Sequence, residues 1–157
     1  MAKNQTLKIT EMDRYLFGQG THYEIYKLMG AHPTKQKGKD GVYFAVWAPR
    51  AQEVAVVGDF NGWDPNENIM KCDNDMGIYQ LFIPGVKSGD LYKFCITSPS
   101  GELLYKADPY ANYAEKRPGN ASRVYDITNF KWNDSVWMKN RQNYDVNKNA
   151  MSIYEVH

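Results

Sequence analysis

Residues 54–63 read Val54-Ala55-Val56-Val57-Gly58-Asp59-Phe60-Asn61-Gly62-Trp63. Three valines in four apolar positions make a strand. Asn61-Gly62 then closes it with a tight turn, because both residue types tolerate positive φ. A tryptophan follows at once, flanked by Asp64 and Pro65. An indole just past such a turn is expected at the rim of a sheet rather than at its centre.

The same two-residue period extends on both sides of this stretch. Val42–Trp47, Val54–Val57, Ile78–Ile83, Leu91–Thr97, Leu103–Tyr105 and Ser122–Tyr125 are the expected strands. Turn chemistry separates them: Ala48-Pro49-Arg50, Asp73-Asn74-Asp75-Met76-Gly77, Pro84-Gly85, Ser88-Gly89-Asp90 and Pro99-Ser100-Gly101. Short strands with frequent turns and no helices between them define an all-β fold, an immunoglobulin-like antiparallel β-sandwich. Within Leu91–Thr97, alternation sends Tyr92, Phe94 and Ile96 toward the core and Lys93 with Cys95 to the opposite face.

A short helical segment precedes the sandwich. Residues 13–30 read as helical, with Thr21-His22-Tyr23-Glu24 as a capping box and Gly30 and Pro33 as stop signals. Asp13–Phe17 is expected to form a shorter turn of its own, ended by Gly18-Gln19-Gly20. After Phe130 the pattern dissolves into a polar connector carrying Trp132 and Trp137. Ser152-Ile153-Tyr154-Glu155-Val156-His157 then reads as a new buried strand, which suggests that the chain continues into a further domain. The expected organisation is a helical segment over 1–33, a β-sandwich over 34–130 and a connector with a terminal strand over 131–157.

Bulk properties narrow the function. With 19 Lys+Arg against 18 Asp+Glu and no block of like charge, neither a nucleic acid nor an anionic membrane surface is an expected partner. Cys72 and Cys95 are the only cysteines and form no C-x-x-C, so no structural metal is expected. They read as two reduced thiols of a soluble, cytoplasmic protein. The N-terminus lacks a signal-peptide core, and the longest apolar run, 42–48, is far shorter than the roughly 18 residues of a membrane span.

Trp63 has two readings, a corner tryptophan of the core or a platform for the apolar face of a sugar ring. Stacking on part of an indole is worth about 1–3 kcal/mol, which gives roughly micromolar to millimolar affinity for an oligosaccharide. Such a platform needs polar groups to orient hydroxyls, and Asn61, Lys93, Asn120 and Ser122 are the candidates. Asp73-Asn74-Asp75 echoes a calcium loop but lacks the later ligands and closing Glu, so a hairpin turn is expected. Lys106-Ala107-Asp108-Pro109-Tyr110 reads as a structural turn or a domain contact. His22, His32 and His157 are scattered, and no catalytic triad, phosphate loop, dinucleotide fingerprint or paired carboxylate stands out. No catalytic residue and no cofactor is expected within these residues.

Val57-Gly58-Asp59-Phe60-Asn61-Gly62-Trp63, Tyr92-Lys93-Phe94 and Lys106-Ala107-Asp108-Pro109-Tyr110-Ala111 resemble the family-48 carbohydrate-binding module of bacterial glycogen (1,4-α-glucan) branching enzymes. Tyr15-Leu16-Phe17-Gly18-Gln19-Gly20-Thr21-His22 and Gly30-Ala31-His32-Pro33 resemble the segment that precedes the module in those enzymes. Residues 152–157 resemble the first strand of their amylase-type barrel. The resemblance implies a parent glycosyltransferase that makes α-1,6 branches in glycogen by a retaining reaction, with its catalytic carboxylates downstream of His157. It implies α-1,4-glucan and the enzyme's own C-terminal barrel as partners, and an inactive fragment.

In related glycogen-binding modules a tryptophan after Phe-Asn and a lysine in Tyr-Lys-Phe contact the glucan, positions that match Trp63 and Lys93. A second stacking tryptophan of those modules falls near Leu103 or Leu104, so one platform is missing here. The following polar loop aligns loosely with Asn120 and Ser122. The alternatives are the same module from a debranching enzyme or a trehalose-releasing hydrolase, and a sandwich that binds protein rather than sugar.

Overall fold

The computed structural model describes residues 7–73, 76–145, 147–148 and 150–156. Two compact units are present, divided after Ile127. The first is an antiparallel sandwich whose described residues form nine strands, β1 (Gly30–Gln36), β2 (Lys39–Trp47), β3 (Glu53–Gly58), β4 (Lys71–Asp73), β5 (Ile78–Pro84), β6 (Leu91–Thr97), β7 (Leu103–Lys106), β8 (Tyr113–Ala114) and β9 (Ser122–Arg123). One sheet has the order β1-β2-β5-β4. The other has the order β3-β6-β9-β8, with β7 pairing the far half of β6.

The six expected strands all form, with ends shifted by a few residues. β1, β4 and β8 were not anticipated. β1 contains Pro33, which cannot donate to a ladder, and it lies at a sheet edge where that donor is dispensable. Gly30, expected to stop a helix, instead starts this strand at φ 97°, where a Cβ would lie 3.0 Å from the Tyr110 carbonyl oxygen.

The core lies between the sheets. Val42, Phe44 and Val46 of β2, Val54 and Val56 of β3, Tyr79 and Ile83 of β5, and Tyr92 and Phe94 of β6 are buried there. Phe44 meets Tyr92 edge-on at 5.1 Å, and Tyr92 meets Phe94 at 5.9 Å. The alternation expected for β6 is the one found. β2 shows no such alternation in burial, because its other face is covered as well. Tyr43, Ala45 and Ile78 pack beneath Ile9, Met29, Phe17, Ile25 and Leu28 of the N-terminal segment.

That segment differs from the sequence reading. α1 spans Glu11–Gly18, and only a 3₁₀ turn, Ile25–Lys27, follows it. The capping box sits at Thr10 and Asp13: the Thr10 N–H donates to Asp13 Oδ2 at 2.8 Å, and the Asp13 N–H donates to Thr10 Oγ1 at 3.3 Å. Thr21 caps nothing; its hydroxyl reaches back to the Leu16 carbonyl oxygen at 3.4 Å. With β1 already paired from Gly30, residues 25–29 have no length for a second α-helix. Asp13 also bonds His22 Nε2 at 2.8 Å, and Arg14 approaches Asp73 at 2.7 Å, so one turn of α1 is tied at two points.

Asn74 and Asp75 lie outside the described residues. Their flanks form the expected hairpin: the Gly77 N–H donates to the Asp73 carbonyl oxygen at 2.8 Å. In the second unit α2 spans Ser135–Arg141, with the Arg141 guanidinium 5.4 Å from the Trp137 ring centre. The strand expected over 152–157 does not form among the described residues 152–156, and His157 lies outside them. Ile153, Tyr154 and Val156 are exposed, and a strand exists only where a neighbour completes its ladder.

Candidate functional site

The Asp59-Phe60-Asn61 residues form a 3₁₀ turn at the end of β3, and Gly62 (φ 62°) and Trp63 (φ 64°) both take the left-handed conformation. This pair of left-handed residues folds the chain back over the sheet. Glycine accepts that backbone freely, whereas a tryptophan must be held in it. Asn61 supplies the hold. Its Oδ1 accepts the Gly58 N–H at 2.9 Å and the Trp63 N–H at 3.2 Å, and its Nδ2 donates to the Val56 carbonyl oxygen at 3.0 Å. Asp59 adds a tie to the neighbouring strand by accepting the Leu91 N–H at 3.1 Å.

So placed, the indole lies on the outer face of the five-stranded sheet, packed on Ala55, Val57 and Cys95. It is partly buried and partly open. Trp63 closes a small satellite cluster with one part of its ring and leaves the remainder exposed. Cys95 is buried in this cluster, and burial raises its thiol pKa against a lowering hydrogen bond from Tyr105.

Register places the other candidates. Val57 pairs with Lys93, so Lys93 projects from the face that carries Trp63. Its ammonium donates to Asn120 Oδ1, which joins the two polar candidates in one hydrogen-bonded pair. Asn61 lends almost all of its amide to the backbone, and acts on this face by positioning Trp63. Ser122 does not belong to the face. It is 2% exposed, and its hydroxyl accepts the Asp108 N–H at 2.8 Å, which corrects its candidacy as a ligand contact.

The Lys106–Tyr110 motif resolves into the same buried network. Tyr92 donates its hydroxyl to Asp108 Oδ2 at 2.6 Å, and the Tyr110 N–H donates to Asp108 Oδ1 at 2.8 Å. Desolvation raises the Asp108 pKa, while these hydrogen bonds pull it back down; burial and the nearby carboxylate push the Tyr92 phenol upward. This network pins β6 to β9 beneath the candidate face.

Sequence reading missed four residues of the outer face: Tyr105, paired with Cys95, and Arg123, Tyr113 and Tyr125 on the β9–β8 side. The available signal was the alternation after Asn120, in which buried Ser122 and Val124 leave Arg123 and Tyr125 facing outward. Among the described residues no cluster of His, Cys, Asp or Glu could hold a metal ion, and no helix is long and apolar enough to cross a membrane.

The fold is an antiparallel sandwich with a part-open indole and a lysine–amide pair on one sheet face. Residues 28–111 match the family described as Carbohydrate-binding module 48 (Isoamylase N-terminal domain), and the chain belongs to that family. It is 58% identical over 154 residues to the 1,4-alpha-glucan branching enzyme GlgB of Butyrivibrio fibrisolvens, covering 98% of this chain and 24% of the relative. The GlgB of Halothermothrix orenii is 53% identical, with 94% of this chain and 24% of the relative covered. The chain thus spans about a quarter of the length of these relatives.

Among solved structures, a ligand-free PulA from Klebsiella pneumoniae superposes with a TM-score of 0.50 at 28% identity, over 62% of this chain and 9% of that one. A putative alpha amylase from Salmonella typhimurium superposes with a TM-score of 0.51 at 26% identity, over 69% and 16%.

Proposed function

We propose that this chain is the N-terminal accessory region of a glycogen branching enzyme and that it holds α-1,4-glucan on the outer face of its five-stranded sheet. The observation that carries the reading is Trp63: two consecutive left-handed residues and a dedicated asparagine amide fix a part-open indole beside the Lys93–Asn120 pair. A structural tryptophan needs no such exposure, and a sugar ring supplies the missing cover. Lys93 and Asn120 then orient hydroxyls at the edge of the platform. Asn61 is the positioning residue.

The parent enzyme forms α-1,6 branches by retaining chemistry in a downstream barrel, which this region docks against and supplies with chain ends. Residues 131–157 are the connector into that barrel, and cytoplasmic residence belongs to the same reading. The identity of 58% to a branching enzyme, against 28% to a pullulanase from Klebsiella pneumoniae, favours branching over debranching. Assaying the full-length protein for new α-1,6 linkages on linear α-1,4-glucan tests this assignment; release of linear chains from a branched glucan without branch formation overturns it.

A further inference from the structure

The sheet face that carries Trp63 continues to a second aromatic feature. Leu91 pairs with Arg123 and Arg123 with Tyr113, so all three project from the same face as Lys93, two residues along β6. Tyr125, two residues beyond Arg123, stacks on Tyr113 with ring centres 5.3 Å apart and planes 27° from parallel. The two rings remain 52% and 46% exposed. Arg123 anchors the pair: its Nη1 donates to the Gly89 carbonyl oxygen at 2.7 Å, and the guanidinium carbon lies 6.0 Å from the Tyr113 ring centre. The two stacked rings and the guanidinium beside Tyr113 together present one exposed aromatic surface.

We infer that Tyr113 and Tyr125 form a second glucan subsite, so that the module grips an extended α-glucan chain at two points and favours long chains over short ones. The inference rests on the reading that Trp63 binds α-glucan. Strand spacing of about 4.8 Å and rise of about 3.4 Å put the tyrosines roughly 15–20 Å from the sheet position under Trp63. The Lys93–Asn120 pair lies between them. An α-glucan offers apolar ring faces with hydroxyls along their edges, and a row of ring, hydrogen-bonding pair and ring complements several consecutive units. A trisaccharide fills the Trp63 end alone. The second platform thereby offsets the leucines at 103 and 104, on the opposite half of β6, with aromatics on the β9–β8 side.

Calorimetric titration of the 157-residue chain with maltotriose and with maltoheptaose tests this. Wild type is expected to bind maltoheptaose more tightly. The double variant Tyr113→Ser/Tyr125→Ser should lose about fivefold on maltoheptaose, the worth of one partly covered ring, and stay within about twofold on maltotriose. Tyr113→Phe/Tyr125→Phe, which keeps the rings, should retain the preference. Unchanged binding of both sugars by the serine variant, or an equal loss on both, overturns the second subsite. If wild type binds and Trp63→Ala binds equally well, the primary reading fails instead.

Discussion

The side-chain oxygen of Asn61 accepts the backbone N–H of Trp63 at 3.2 Å while also accepting that of Gly58 at 2.9 Å, so a single amide sets the direction in which the indole leaves the sheet. Platform and bracket are therefore separable by mutation.

Asn61→Ala removes three hydrogen bonds to backbone groups and should destabilise the fold by about 1–3 kcal/mol. Because Trp63 is then no longer held left-handed, glucan binding should fall as well. Chemical denaturation paired with glycogen retardation on the same variant checks both effects; full stability with weakened binding would mean that the bracket is not structural.

Ser122 and Asn120 should separate in the opposite sense. Ser122→Ala leaves the buried Asp108 N–H unpaired and should cost about 1–3 kcal/mol, with glucan affinity unchanged at temperatures where the variant is folded. Asn120→Ala, on the surface, should stay within about 0.5 kcal/mol of wild type in stability but bind more weakly. Melting curves and titration with maltoheptaose distinguish the pair.

Gly58 has no room for a side chain: an added Cβ would lie 2.3 Å from the Leu91 carbonyl oxygen and 2.7 Å from the Phe60 ring. Gly58→Ala should destabilise by about 1–3 kcal/mol, read as a lowered midpoint in urea. A midpoint at or above that of wild type would show that β3 and β6 can separate at this point without cost.

Acid should act on two carboxyls with opposite sign. Burial raises the pKa of Asp13, but bonds from Thr10 and His22 outweigh it and hold the pKa below the ordinary 3.8. Its stabilisation is complete above about pH 4 and is lost as pH falls through the native value. Asp108 is raised above 3.8, chiefly by desolvation. Its contribution is complete below pH 3.8 and is lost as pH rises through its native value. Melting temperatures from pH 7 to pH 3 should show the wild-type advantage over Asp13→Asn shrinking as the solution is acidified. Against Asp108→Asn, wild type should gain over the same range.

β6 was legible because its alternation sends Tyr92 and Phe94 inward and Lys93 to the other face. β2 was legible as a continuous apolar run. The N-terminal segment was not: Thr21-His22-Tyr23-Glu24 reads as a capping box, but the pairing of Gly30 with Ala45 leaves no length for its helix, and the box that forms is Thr10 with Asp13. Pro33 concealed an edge strand, and Ser122 looked polar and available until the buried Asp108 network claimed it. Trp63 and Lys93 are singled out by their motif alone. Their common face required the register of Val57 with Lys93, which no local pattern carries.

The most direct measurement is migration of wild type and Trp63→Ala through native gels with and without glycogen, with folding of the variant confirmed by its melting curve. Glycogen is expected to retard wild type and to leave Trp63→Ala at its sugar-free mobility. Equal migration of the two proteins in glycogen would contradict the assignment of this face as a glucan platform.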